Sequence, residues 1–292
     1  MSSPITLHTV LGDYPHTRPL KRGEIASSEV TLAFLDVKPT NRAFKPMVRE
    51  QQFDVCEMAI VTYLQAKAYD KPLLLLPVVM LGRFQHHCML YNSERGTLAA
   101  QDLAGRRVGV RALTQTTGVW LRGILADEYA LDLDRVQWVT FEDAHVAEYR
   151  DPPQVTRVAG DKDMTAMLLA GEIDAAIYGA DLPADPRLKS VIAEPERAAQ
   201  DWYRKYRVTP VNHLVTVTAD LARSHPRAVT EIYRLLRAAK ATVPASGIDP
   251  TPFGIAENRA SLDLIIDYSV RQRMIPRRFT VDELFADTAA LL

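Results

Sequence analysis

Residues 106–131 read "RRVGVRALTQTTGVWLRGILADEYAL". Val108 to Val110 is a short apolar run of the kind that a buried strand carries. A loop rich in hydroxyls follows, with Thr114, Thr116 and Thr117, and a helical run leads on from it. Strand, loop and helix make one βα unit, and the same order recurs on both sides. Upstream, "ITLHTVLG" (5–12), "VTLAFLDV" (30–37), "FDVCEM" (53–58) and "PLLLLPVVM" (72–80) read as strands, with helical runs over "AFKPMVREQQ" and "AIVTYLQAKAY". Downstream, "DRVQWVTF", "IDAAIYG" and "LVTVTA" read as strands, with a helix over "KDMTAMLLAG". The tail is helical: in "HPRAVTEIYRLLRAAKATV", Val229, Ile232, Leu236 and Ala239 share one face. Alternation of this kind predicts an α/β chain with mostly parallel sheets.

The chain has 292 residues, 47% of them hydrophobic and 24% charged, with a net charge of −1. That is enough for two domains and a sizeable core, and it gives no field that would attract nucleic acid or an anionic membrane. The start shows no basic segment followed by a long apolar one, and the longest apolar run, "PLLLLPVVMLG", holds a proline and is too short to span a bilayer. A cytoplasmic protein with no membrane partner is expected. Cys56 and Cys88 are far apart in sequence and read as buried, reduced thiols.

Two stretches look like crossovers, "CMLYNSERG" near residue 90 and "RVTPVNHL" near residue 211. They predict a discontinuous first lobe, 1–92 plus 211–292, and a second lobe, 93–210. The joint would be a double-stranded hinge beside a central ligand cleft.

Ligands of open α/β sheets bind beyond the carboxyl ends of strands, which makes each strand exit a candidate. The first exit carries Asp13, Tyr14, His16 and Arg18; the second Glu57; the third Arg83, His86 and His87; the fifth Tyr178 and Asp181. Asn212 and His213 lie at the return crossover. At the fourth exit, Thr114, Thr116 and Thr117 precede a helix, whose free amides and dipole suit a carboxylate or phosphate. Helix capping by Thr114 or Thr116 explains the same residues. Arg83 and His86, at i and i+3, would diverge on a strand but converge on one ligand in a turn. His145 and Glu148 have a helical i, i+3 spacing that suits a metal. No further ligands cluster beside them in sequence, so a surface loop is expected there and no metal. The chain holds no GxGxxG, Walker, GxSxG or HExxH motif, so nucleotide cofactors and a serine nucleophile are unsupported.

"DYPHTRPL", "FDVCEM", "GRFQHHCMLYN", "LAGRRVGVRALTQTTGVWLRGILADEYALDL", "MLLAGEIDAAI" and "PVNHLV" occur in an order and spacing that resemble the 4,5-dihydroxyphthalate decarboxylase family. The resemblance runs over most of the chain. It implies the type II periplasmic-binding-protein fold and a cofactor-independent decarboxylation of a dihydroxylated aromatic diacid, 4,5-dihydroxyphthalate to protocatechuate and CO2. A small-molecule aromatic carboxylate is then the partner, and a homo-oligomer is compatible with it. The alternatives are a solute-binding protein or receptor for an aromatic acid, and another lyase on the same fold.

On this reading Arg18 and Arg83 hold carboxylates, with Thr114, Thr116, Tyr178, Asn212 and His213 lining the substrate. His86 is the first choice for proton donor, with Glu57 or Asp13 on the phenols. Glu57, flanked by Cys56 and Met58, is expected at a strand exit with its pKa raised by poor solvation, as suits an acid, or else as a cap of the helix after it.

Overall fold

A computed structural model describes residues 3–244 and 247–292. Its strands are β1 (Ile5–Val10), β2 (Val30–Phe34), β3 (Val55–Ala59), β4 (Leu73–Gly82), β5 (Met89–Asn92), β6 (Arg107–Val110), β7 (Gln137–Thr140), β8 (Thr156–Arg157), β9 (Ala175–Ile177), β10 (Leu188–Ser190) and β11 (Val211–Thr218). The helices are α1 (Arg18–Lys21), α2 (Phe44–Glu50), α3 (Ile60–Ala68), α4 (Thr116–Tyr129), α5 (Met164–Ala170), α6 (Pro195–Tyr206), α7 (Ala219–Ser224), α8 (Pro226–Ala241), α9 (Ile255–Arg271) and α10 (Val281–Phe285). Among the described residues, no helix is long and apolar enough to cross a membrane.

The chain divides into two compact units, Met1–Arg83 with Val211–Leu292, and Phe84–Pro210. The first unit holds a sheet in the order β2-β1-β3-β11-β4, the second a sheet in the order β10-β5-β9-β6-β7-β8. The first connection falls at Arg83–Phe84 rather than after residue 92, because β5 belongs to the second sheet, where it pairs with β9 and β10. Both connections leave the first unit side by side, since Gly82 at the end of β4 pairs with Val211 at the start of β11.

The sheets are mixed rather than mostly parallel. The βα units do give parallel pairs, β1 with β2 and β3, and β6 with β7 and β9. But β11 runs antiparallel to β3 and β4, and β5 to β9 and β10. A strand that leaves a unit and the strand that returns beside it must run in opposite directions, so the crossings themselves impose the exceptions.

Local sequence explains the elements that frame the site. Pro77 is tolerated inside β4 because β4 lies at the sheet edge, where a missing amide breaks no ladder. On that edge the Gly254 amide donates to the Pro77 carbonyl. On α8, Val229, Ile232, Leu236 and Ala239 are buried as the periodicity predicts, and they pack with Leu7, Val55, Leu76, Val78 and Val217 from the sheet. In the second unit, Met167 and Leu168 of α5 cluster with Val139, Ile173 and Ala176. Both cysteines are buried, and neither forms a disulfide.

Ile232 is fully buried in the first core. Ile232→Ala should destabilise the protein by about 2–5 kcal/mol, through lost transfer energy and the cavity left behind. The shift of the urea unfolding midpoint measures it.

Candidate active site

In the first unit, three backbone segments meet at one carboxylate. Glu57 is the middle residue of β3 and is fully buried. Its Oε2 accepts a hydrogen bond from the Gly12 amide at 2.8 Å, and its Oε1 accepts one from the Tyr14 hydroxyl at 2.7 Å. His213 Nδ1 lies 2.6 Å from the same Oε1. The sheet register brings these groups together. Val10 at the end of β1 sits opposite Cys56, so the loop after β1 passes over the Glu57 side of the sheet end. Val215 of β11 is opposite Glu57 and His213 is two residues away, on the same face and within diagonal reach.

The loop after β1 is fixed by its own bonds. The Thr17 hydroxyl, fully buried, donates to the Gly12 carbonyl at 2.8 Å and accepts from the Tyr14 amide at 2.9 Å. The Lys21 ammonium, in α1, donates to the Leu11 carbonyl at 2.8 Å. Gly12 leaves room for Tyr14: a Cβ there would lie 2.5–2.7 Å from the Cε2, Cζ and hydroxyl of that ring. Tyr14 stacks on His16 with ring centroids 5.3 Å apart, and His16 meets the Phe253 ring edge-on. On the other side the Phe44 ring of α2 packs edge-to-face on His213 at 5.0 Å.

These contacts set the charges. Burial alone would raise the Glu57 pKa, yet the His213, Gly12 and Tyr14 contacts together outweigh burial and hold it below its ordinary value. Hydrogen bonds to a charged group are worth about 1.5–3 kcal/mol each, so three of them offset a desolvation cost of several kcal/mol. Glu57 is therefore an ionised acceptor rather than a proton donor with a raised pKa. Nor does it cap the helix after β3: the N-cap of α3 is Ala59, with no side-chain cap bond. The Tyr14 hydroxyl is pushed up by burial and by the neighbouring Glu57 charge, so it stays protonated. Burial drives His16 down to about 4, and that ring is neutral near pH 7.

Asp13 and Arg18 pair with each other at 3.3 Å on the surface, in a contact worth little. Arg83 closes the first unit while His86 belongs to the second, so the i, i+3 pair straddles a connection. His86 opens a short 3₁₀ turn, His86–Cys88, and is buried with its ring edge against Trp202 of α6 at 6.1 Å. Burial, with His87 beside it, lowers its pKa to about 4, so it holds no spare proton at neutral pH. Asn212 is buried beside His213 in β11.

In the second unit, Thr114, Thr116 and Thr117 are buried at the start of α4. None of them caps it; the N-cap is Gln115, without a side-chain cap bond. Arg122, buried in the second turn of α4, donates to the Leu113 carbonyl at 2.7 Å and braces the loop before the helix. The Tyr178 hydroxyl just beyond β9 donates to Thr165 of α5 at 3.1 Å. The stretch holding His145 and Glu148 is made of turns, so their helical spacing is not realised. Among the described residues, no group of three or more histidines, cysteines and acids is placed to hold a metal.

No protein-family model matches the chain. It is 25% identical to a protein of Comamonas testosteroni named 4,5-dihydroxyphthalate decarboxylase, over 97% of both chains. A protein of the same name from Pseudomonas putida is 29% identical over 68% of this chain and 82% of its own. Along nearly its whole length the chain is thus similar to a protein named 4,5-dihydroxyphthalate decarboxylase, the family its motifs resemble. Solved structures share the fold. The periplasmic aliphatic sulphonate binding protein SsuA of Escherichia coli aligns with a TM-score of 0.61 at 13% identity, over 96% of this chain and 97% of that one. The desulfurization enzyme DszB aligns at 0.54 and 16% identity, over 96% and 95%. The fold is the two-lobed α/β fold of type II periplasmic binding proteins.

Two outcomes follow from the charges and the packing. Gly12→Ala should push Tyr14 off Glu57, visible as a changed Tyr14 environment in near-ultraviolet circular dichroism with far-ultraviolet signal unchanged. Neutral, buried His16 and His86 take up protons only on unfolding, so their contribution is complete above the unfolded value of 6.5 and is lost as pH falls toward about 4. Glu57, with its folded pKa lowered, adds stability that is present above 4.5 and disappears below it. Urea midpoints measured from pH 8 to pH 4 should therefore fall, and His86→Phe should make that fall shallower.

Proposed function

We propose that this protein is a cofactor-independent carboxy-lyase that removes one carboxylate from a dihydroxylated aromatic diacid, converting 4,5-dihydroxyphthalate to protocatechuate and CO2. The observation that carries the reading is the relationship, over 97% of the chain, to a protein named for that reaction. The chemistry needs no bound electron sink. Each carboxylate of this substrate is para to a hydroxyl, which pushes electrons toward the carbon that bears the leaving group. What the protein must supply is a set of anion donors and one well-placed acid.

Both kinds of group occur among the described residues. The α4 start in the second unit, with the buried Thr114 and Thr116, is suited to a carboxylate. Arg83 is suited to the same task by its fork of donors. In the first unit, the buried Glu57 anchors an imidazole and a phenol, a polar arrangement with no purpose in packing alone.

Incubating the pure protein with 4,5-dihydroxyphthalate should release CO2 and protocatechuate in equal amounts, followed by chromatography and gas analysis. Turnover should survive exhaustive dialysis against a metal chelator. Tight binding of the diacid without CO2 release would instead identify a receptor, and activity only after metal is restored would remove the cofactor-independent claim.

A further inference from the structure

We infer that His213, held by Glu57, is the acid that protonates the ring carbon. The inference rests on the decarboxylase reading above. It reassigns His213 from substrate lining to chemistry, and it replaces His86 as donor.

Three observations lead to it. Glu57 is fully buried, and its lowered pKa makes it an acceptor only. At 2.6 Å from Oε1, His213 Nδ1 must then be the nitrogen that carries a hydrogen, because an ionised carboxylate has none to give. The tautomer is fixed by that bond, which leaves Nε2 as the working nitrogen. Last, the His213 side chain remains 19% exposed while Glu57 is fully enclosed, so the imidazole, not the carboxylate, has access to a ligand. The Phe44 ring and the strand position fix its plane. Tyr14 and Gly12 hold one oxygen of Glu57 each, so the carboxylate is not free to turn away from His213.

The step balances. Imidazolium Nε2–H gives its proton to the ring carbon bearing the departing carboxylate, as the para hydroxyl donates electron density. A C–H bond forms. The bond from the ring to the carboxylate then breaks, its electron pair returns to the ring, and CO2 leaves. Neutral His213 regains a proton from solvent. Through the cycle Glu57 stays ionised, steadies the imidazolium and is a positioning residue.

The test uses the full chain and 4,5-dihydroxyphthalate. His213→Gln should lower kcat by about 10²–10⁴-fold, the range for loss of a general acid, with substrate affinity by calorimetry within a few-fold of wild type. Glu57→Gln should lower kcat in the same direction with little change in affinity. Added imidazole should restore part of the turnover of His213→Ala. Turnover by His213→Gln within tenfold of wild type would overturn the assignment, and so would a loss confined to affinity. If His213→Gln does not fold, His213→Ala decides: restoration by imidazole supports the assignment, and none refutes it. A wild-type protein that releases no CO2 sinks the decarboxylase reading and this inference with it, an outcome distinct from an active wild type with active variants.

Discussion

The first unit is organised around one buried charge. Glu57 lies inside a strand flanked by Cys56 and Met58, in a position that apolar packing would leave to an aliphatic side chain. An ionised carboxylate there is tolerable only with its donors in place. The donors come from the loop after β1, through Gly12 and Tyr14, and from β11, through His213. Because β11 is the strand by which the chain returns from the second unit, the carboxylate also pins the start of the returning segment to the older part of the sheet. Much of the local detail serves this arrangement. Gly12 lacks a side chain because Tyr14 occupies the space, and Thr17 is buried because it ties together the two ends of the loop.

How much of this is legible in the sequence depends on range. The βα alternation, the amphipathic face of α8 and the buried thiols are local properties, and periodicity reveals them. Mixed sheet direction is a property of how the chain returns, which no local window contains. Helix α6 escapes a pattern search because "PERAAQDWYRKY" is mostly polar, with Ala199 and Trp202 its only buried side chains. Yet Trp202 meets His86 edge-on, so missing the helix also misses one of the rings packed on the histidine. Glu57 stands out in sequence as an acid in an apolar run, but its partners lie 43, 45 and 156 residues away. Nothing in the sequence marks Tyr14 or Gly12 as its partners. The sign of the pKa shift follows from those partners: with burial alone the carboxyl would sit high, and with three donors it sits low.

A helix start suited to an anion and a buried acid–imidazole pair answer different demands. The fold is shared with a sulphonate-binding protein and with a desulfurization enzyme, so architecture alone does not separate holding a ligand from transforming it. A receptor for an anion needs donors and little else. A buried carboxylate bonded to a partly exposed imidazole is costly to build, and an arginine would grip an anionic ligand without that cost.

The charge on Glu57 also limits what it can touch. At an effective dielectric constant of about 20, two like charges roughly 6 Å apart repel by about 3 kcal/mol. A dianionic substrate in direct contact with Glu57 would be opposed by more than that, since both of its carboxylates would contribute. An imidazole between the carboxylate and the ligand changes the sign of the contact. Protonated, His213 presents positive charge to the diacid while Glu57 supports that charge from behind. Once the proton is given up, the attraction fades as the product loses a negative charge. Under this arrangement the buried acid never needs to meet the substrate, which is consistent with its being fully enclosed while His213 is not.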